Sequence, residues 1–340
     1  MKKILVLGYF GYKTNQLDGQ TVKTRNLYIL LKQDNQSVSY FDTQVLRYSK
    51  LSIFKMLLQV CRCDVVCYVP AHNNLKYFFP IIFILSKLFS TKIHYYVVGG
   101  WLNEFIRKLP IHRWMLKNID YILPETQLMC EKLKEDYNIL NTQVFPNFRI
   151  TDFSASDERH PDNPLRMVFM ARVNKMKGYE TIFTFADYAI QAKLDVVIDF
   201  FGPIYDDDKD DFMQKIALCP ITSYQGTLEP EDIYLKLCSY DLLLLPTRYY
   251  TEGFPGSILD AYISGIPVIV TGWKHAREFV VDGETGIIVP FKDSQESFNQ
   301  AITKLYYDRE KLDYMRKRSK DFSEYFKADY ALNIIRTLIS

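Results

Sequence analysis

The sequence predicts an α/β protein built from two doubly wound domains in succession. Short runs of β-branched and aromatic residues alternate with longer segments of helical pattern, the order of strands and crossover helices in a parallel sheet. The alternation stops over residues 146–164, PNFRITDFSASDERHPDNP, where prolines and polar residues replace any periodicity, and then starts again. At 340 residues, 48% of them hydrophobic, the chain has material for two cores of ordinary size.

In chain order, the first strands are expected at residues 3–7, 38–41, 64–69, 92–98, 121–123 and 142–145. The opening MKKILVLGYF reads as a strand and not as a signal peptide, because its apolar stretch is short and lacks a small-residue cleavage site. Residues 22–31 carry a 3.6-residue apolar stripe, and residues 51–60 and 75–88 are apolar enough to pack as helices on a sheet. After the linker, strands are expected at 165–171, 196–201, 221–224, 241–245, 268–270 and 287–289. The C-terminal stretch reads as helices, ending in a stripe of Tyr330, Leu332, Ile335 and Leu338. The domains expected are thus residues 1–150 and 164–320, with 321–340 a terminal helix packing back on the first. The longest apolar run, residues 77–85, contains Pro80 and is far below the ~20 residues a membrane-spanning helix needs.

A formal charge of +2 hides an asymmetry: residues 1–150 carry 20 Lys and Arg against 10 Asp and Glu, whereas residues 151–340 carry 22 against 30. The basic first half points to an anionic partner. Nucleic acid is not expected to be that partner. Six cysteines, at positions 61, 63, 67, 130, 219 and 238, sit mostly in apolar runs, and Cys61-Arg62-Cys63 is not a zinc knuckle. Reduced, buried cysteines fit the cytoplasm.

Chemistry concentrates in the second half. The run TEGFPGSILDAYISGIPVIVT follows the apolar strand DLLLLP; its turn residues Gly253, Pro255 and Gly256 lead into a helix starting near Ser257, whose free amides make an anion site. Glu252 and Asp260 flank that helix start, and carboxylates accept hydrogen bonds from the paired hydroxyls of a sugar or ribose. An earlier strand of the same half ends at Arg172, with Lys177 and Gly178 at the next helix start. Two cations there suit a diphosphate and stabilise the charge that grows on it as a glycosidic bond breaks.

The order of these segments, from Arg172–Gly178 through Gly202, YQGTL, DLLLLPT and EGFPGSILDAYISGIPVIVT to EFVVDGETGIIVP, resembles the retaining glycosyltransferases of family 4, among them the enzymes of bacterial capsule and exopolysaccharide synthesis. The resemblance implies the GT-B fold, two Rossmann-like domains facing across a cleft, with the first recognising the acceptor. It implies that Arg172 and Lys177 hold the donor diphosphate, that Glu252 sits beside the transferred sugar, and that Gly202, Tyr224, Gly226 and Leu228 lie against the nucleotide. The amides of Phe254, Pro255's turn, Gly256 and Ser257 would meet the sugar and phosphates. Asp260 stands where the family usually has a ribose-binding Glu, and EGFP followed by Gly256 replaces the commoner EGFGLP.

In the first half the resemblance assigns Gly19, just before a helix, to the donor, and Gly99 and Gly100 to the sugar side. Gly8 and Gly11 lack the dinucleotide-binding spacing, which argues against a dehydrogenase. Where many family members carry a His before a Gly, this chain has Val98, and His94 upstream, in mid-strand, is expected to be a packed or edge residue.

The expected reaction moves a sugar, with retention, from a nucleotide diphosphate-sugar, most simply a UDP-sugar, to a glycan or lipid-linked acceptor. No metal and no cofactor is called for, since cations and helix amides neutralise the leaving diphosphate. The segment WLNEFIRKLPIHRWMLKN interleaves Trp101, Phe105 and Trp114 with Arg107, Lys108, Arg113 and Lys117, a mixture suited to an anionic membrane surface. That places the protein in the cytoplasm, peripheral on the inner face of the membrane. A sugar-nucleotide epimerase of the same fold and a non-catalytic donor-binding subunit are the alternatives.

Overall fold

In a computed structural model, residues 2–16, 18–34, 37–155 and 164–339 are described. Residues 156–163, the middle of the expected linker, lie outside that set. The chain divides into two compact units, Met1–Thr151 with Phe326–Ser340, and Asp152–Tyr325.

In the first unit the strands are β1 (Lys3–Gly8), β2 (Ser37–Asp42), β3 (Val65–Val69), β4 (Lys92–Tyr96) and β5 (Tyr121–Leu123). They form one five-stranded sheet in the order β2-β1-β3-β4-β5, all parallel. The helices are α1 (Gly19–Gln33), α2 (Ser52–Arg62), α3 (His72–Tyr77), α4 (Phe79–Phe89), α5 (Leu102–Ile106), α6 (Pro110–Lys117) and α7 (Gln127–Tyr137). Alternation along β1 sends Leu5 and Leu7 into a core with Met56, Val60, Phe79, Ile82 and Leu116, so α2, α4 and α6 cover one face. Ile4 and Val6 point the other way, into a core with Leu27, Leu30 and Leu31 of α1.

The second unit has β6 (Leu165–Met170), β7 (Val196–Phe201), β8 (Thr222–Tyr224), β9 (Leu242–Leu245), β10 (Val268–Thr271) and β11 (Gly286–Val289). They form a six-stranded sheet in the order β11-β10-β9-β6-β7-β8, again parallel throughout. Its helices are α8 (Tyr179–Gln191), α9 (Lys209–Leu218), α10 (Ile233–Leu237), α11 (Gly256–Ile263), α12 (Ala276–Phe279), α13 (Gln295–Tyr307) and α14 (Arg309–Ser323). Both faces of such a sheet are covered, which is why β9 can read LLLL without alternation. The α/β fold of two doubly wound, Rossmann-like units is the one the sequence predicts.

The chain returns to the first unit at the last helix, α15 (Ala328–Ile339), whose Ala331, Ile335, Leu338 and Ile339 enter the core beneath α1. The return falls at Phe326 and not at residue 321, because α14 continues to Ser323 and stays with the second unit. Tyr330, expected on the buried stripe, is exposed, and Ala331 takes the inward position. Residues 142–145 do not form a sixth strand. They run beside β5, with one bridge from Thr142 to Ile122 and bonds from the Gln143 and Phe145 amides to the Ile122 and Pro124 carbonyls. Pro124 has no N–H with which to extend the ladder.

Candidate functional site

In the second sheet the chain order reverses between β6 and β9: from β6 it winds outward to β7 and β8, then crosses back to lay β9 on the other side of β6. The carboxyl ends of two such strands diverge into opposite windings and leave a crevice where ligands bind in open α/β sheets. The loops that leave β6 and β9 are those that carry Arg172, Lys177 and Glu252.

After β6, the Asn174 side chain accepts from the Lys177 amide at 2.8 Å and fixes a single 3₁₀ turn, Lys175–Lys177. Gly178 then takes φ 86°, and a Cβ there would stand 1.9 Å from the Pro246 carbonyl oxygen. Only glycine lets this turn press against the end of β9. Two further bonds clamp the loops: the Arg248 amide donates to the Met176 carbonyl at 2.8 Å, and the Thr247 hydroxyl to the same carbonyl at 3.3 Å. The Lys177 ammonium consequently meets the Glu252 carboxylate at 2.5 Å, across 75 residues of sequence. Thr247 Oγ1 is 3.4 Å from the same carboxylate oxygen, and the Tyr249 ring lies 5.5 Å from Lys177 Nζ. Both members of the pair are 18% exposed in their side chains, partly desolvated yet still open to a ligand.

Arg172 is exposed and has no hydrogen-bond or ion-pair partner among the described residues. Its strand end is tied to the neighbouring loop by Gly202, whose φ of 125° brings the two backbones so close that a Cβ would be 2.0 Å from the Ala171 oxygen. The Gly202 amide donates to the Gly226 carbonyl at 2.8 Å, and the Tyr224 hydroxyl to the Gly202 carbonyl at 3.0 Å. The ends of β6, β7 and β8 thus form one continuous rim. Leu228 follows on it, half-buried.

On the other side of Glu252, the Phe254 ring stacks on Phe279 at 4.1 Å and 2°. Pro255 caps α11, which begins at Gly256, one residue before the expected start. The amides of Gly256 and Ser257 open the helix, where no intrahelical acceptor exists. Asp260 lies in the second turn of α11 and is buried. Cations, orphan amides and a carboxylate therefore converge at one switch point, a constellation fit to bind a doubly charged phosphate group and a polyhydroxyl group side by side.

A scan of family models matches residues 151–322 to the description "Glycosyl transferases group 1". The chain belongs to the group 1 glycosyl transferases. Among curated proteins, it is 25% identical over 201 residues to the putative colanic acid biosynthesis glycosyltransferase WcaL of Salmonella typhimurium, covering 55% of this chain and 48% of that protein. It is 27% identical over 132 residues to an uncharacterized 41.2 kDa protein in the cps region of Klebsiella pneumoniae, covering 39% of this chain and 34% of that one. The matched stretches span between a third and a half of these relatives' lengths. Among solved structures, HepE of Anabaena, crystallised with UDP and glucose, superposes with a TM-score of 0.76 at 16% identity, covering 100% of this chain and 99% of that one. At that identity the likeness speaks for the fold alone, two Rossmann-like domains of the GT-B class.

The remaining expected residues belong to the first unit. Gly19 opens α1 behind an Asp18–Thr21 capping box, with open space where a Cβ would stand. Gly99 has φ 79°, and its amide donates to Glu125 Oε2 at 3.2 Å; Gly100 is buried beside it. Glu125 is the residue that sequence reasoning missed. Its other oxygen accepts from Lys23 Nζ at 2.8 Å, and Lys23 also donates to the Val97 carbonyl at 3.0 Å. Burial pushes the Lys23 ammonium below its usual pKa while the Glu125 charge pulls it back up. The signal available was a lysine on the inward stripe of α1 with Leu27 and Leu30.

His94 is indeed a packed residue, fully buried in β4 against Tyr121, with neither ring nitrogen bonded among the described residues and its pKa lowered by burial to about 4. Trp101 and Phe105 do not face outward: both pack against the core under α5 and against His72, and only Trp114 of that trio is exposed. The acidic run at residues 206–211 has the Asp-x-Asp spacing that a metal site can use, but Asp208 accepts from the Lys175 amide and Asp211 is taken by Tyr179 and Lys215.

Proposed function

We propose that this protein is a retaining glycosyltransferase of family 4 that takes a sugar from a UDP-sugar and adds it to a lipid-linked glycan in bacterial capsule or exopolysaccharide synthesis. The observation that carries the reading is the Lys177–Glu252 pair at the β6/β9 switch point. A cation suited to the diphosphate and a carboxylate suited to the sugar hydroxyls stand within one hydrogen bond of each other. UDP and glucose in the crystals of HepE, and the colanic acid and cps-region names of the two curated relatives, support the donor and the pathway class.

In the proposed reaction the diphosphate lies on the Gly256 and Ser257 amides with Lys177 and Arg172 around it. As the bond from the anomeric carbon to the phosphate oxygen lengthens, negative charge collects on that oxygen, and these fixed donors stabilise it without a metal or a cofactor. The acceptor hydroxyl attacks from the face the phosphate leaves, its proton passing to the departing phosphate oxygen, so configuration is retained. Glu252, the hydrogen-bond partner of Lys177, offsets positive charge at the anomeric carbon and receives a sugar hydroxyl. Asp260 receives the ribose, and Tyr224, Gly226 and Leu228 border the base. Gly19, Gly99 and Gly100 serve the sugar and acceptor side, with backbone amides where family relatives use a histidine.

The test is a panel of nucleotide-sugars and nucleotide diphosphates screened by thermal shift and by slow donor hydrolysis. A UDP-sugar should raise the melting temperature and lose its sugar to water, and Lys177→Ala should abolish both effects. Release of an altered nucleotide-sugar without an acceptor would make the protein an epimerase and overturn the proposal.

A further inference from the structure

The helices α2, α4 and α6 lie side by side on one face of the first sheet. Each buries one side in the same core: Met56 and Val60 from α2, Ile82 and Phe83 from α4, Met115 and Leu116 from α6. Phe83 and Trp114 meet edge to face at 5.4 Å, and Lys87 Nζ donates to the Asn118 carbonyl at 2.5 Å, which ties α4 to the end of α6. Because their inner sides share one core, their outer sides point the same way, away from the sheet.

Those outer sides are apolar. On α2 they are Leu51, Phe54 and Leu58, spaced at helical intervals, with Phe54 68% exposed. On α4 they are Ile81, Ile84, Leu88 and Phe89, with Leu88 71% exposed. Ile111 and Trp114 continue the patch on α6. An ordinary surface helix carries charge on its solvent side, as α14 does with REKLDYMRKRSKDFS. Helix α4, FPIIFILSKLF, is instead apolar on its outer side as well, except for Lys87, close to the pattern of helices buried in protein or in lipid. At 11 residues it is too short to span a bilayer, which takes ~20. No helix among the described residues is long and apolar enough to cross a membrane.

On these three helices the charge has one sign, while the acidic residues of this face, Glu104, Glu131, Glu135 and Asp136, lie on α5 and α7. The three helices contain no Asp or Glu, and Lys55, Arg62, Lys87, Arg113 and Lys117 are set among or beside the apolar residues, with Arg107 and Lys108 exposed just before α6. We infer that this face rests on an anionic lipid bilayer, its leucines, isoleucines and aromatics entering the headgroup boundary and its lysines and arginines meeting lipid phosphates. A second copy of the chain fits poorly, since a two-fold contact sets the same patch against itself and would bring cation against cation. The inference deepens the proposed lipid-borne acceptor by assigning the surface that would hold the protein beside it, and it corrects the membrane-facing segment expected from sequence: Trp101 and Phe105 are core, while α2 and α4 supply most of the contact.

The experiment is co-sedimentation of the purified full chain with vesicles of phosphatidylcholine alone, or with about one third phosphatidylglycerol. The chain should pellet with the anionic vesicles at low salt and remain in solution with the zwitterionic ones. Phe54→Ser with Leu88→Ser should weaken the partition more than tenfold, a loss expected for two large apolar side chains. Lys55→Gln with Lys117→Gln should weaken it about tenfold at low salt and less at high salt. All four side chains are exposed, so melting temperature and nucleotide-sugar binding should stay at native values. Either observable can therefore fail without the other. Equal binding to both vesicle types, no binding to either, or unchanged binding of the serine variant overturns the inference. So does a concentration-dependent dimer in ultracentrifugation that the serine variant dissolves while vesicles bind nothing.

Discussion

Each unit of this chain joins a lysine to a glutamate near the carboxyl ends of its strands, but the two pairs live in different solvents. Lys177 and Glu252 are 18% exposed apiece and stand at a switch point among orphan amides. Lys23 and Glu125 are 1% and 3% exposed, and their remaining bonds run to the Val97 carbonyl and the Gly99 amide. The open pair has donors and acceptors to offer a ligand. The sealed pair spends them on its own backbone and sets the position of the loop after β4. Residue type and distance are nearly the same, so burial decides which pair stays open to a ligand and which holds the backbone.

The contrast breaks most visibly under substitution at the sealed pair. Lys23→Met should cost about 3–5 kcal/mol of stability, read by denaturant unfolding, because it strands a buried carboxylate. Adding Glu125→Gln should restore part of that loss, and the folded fraction should bind UDP normally. Lys177→Ala should do the reverse: a fall in kcat/KM of about 10²–10³, with melting temperature almost unmoved.

A smaller effect comes from His94, a buried ionisable group of β4. Its pKa is about 4 in the folded chain against an ordinary 6.5, so the unfolded chain takes up the proton first as pH falls. The neutral ring's contribution is whole above pH 6.5 and is lost progressively down to about pH 4, by about 3 kcal/mol in all. His94→Leu should flatten that part of the stability profile while leaving the donor site alone. Least costly is Arg172→Ala, an exposed cation, which should weaken UDP-sugar binding by about tenfold and barely alter folding.

Much of this was legible in the sequence, for identifiable reasons. Each of the eleven strands among the described residues overlaps a β-branched, aromatic or apolar run between turn signals, and Pro124 closes β5 after three residues. The same proline misled the reading of residues 142–145, whose pattern is strand-like but whose neighbour cannot complete the ladder. In the second unit, Arg172, Lys177 and Glu252 were legible because they sit within a few residues of strand ends, where chain order alone fixes their place in the sheet. The Lys23–Glu125 pair spans 102 residues and depends on how α1 packs over β4 and β5, which no local pattern states. The apolar outer faces of α2 and α4 were hidden for a related reason: a hydrophobic run shows that a helix can be buried, but not that only one side of it is.

The measurement that tests the account most directly is calorimetric titration of UDP into the native chain, Lys177→Ala and Lys23→Met, each held under conditions where it is folded. The account predicts micromolar binding to the native chain, at least tenfold weaker binding to Lys177→Ala, and native affinity in Lys23→Met. Equal affinity in the native chain and Lys177→Ala, or a loss confined to Lys23→Met, would contradict it.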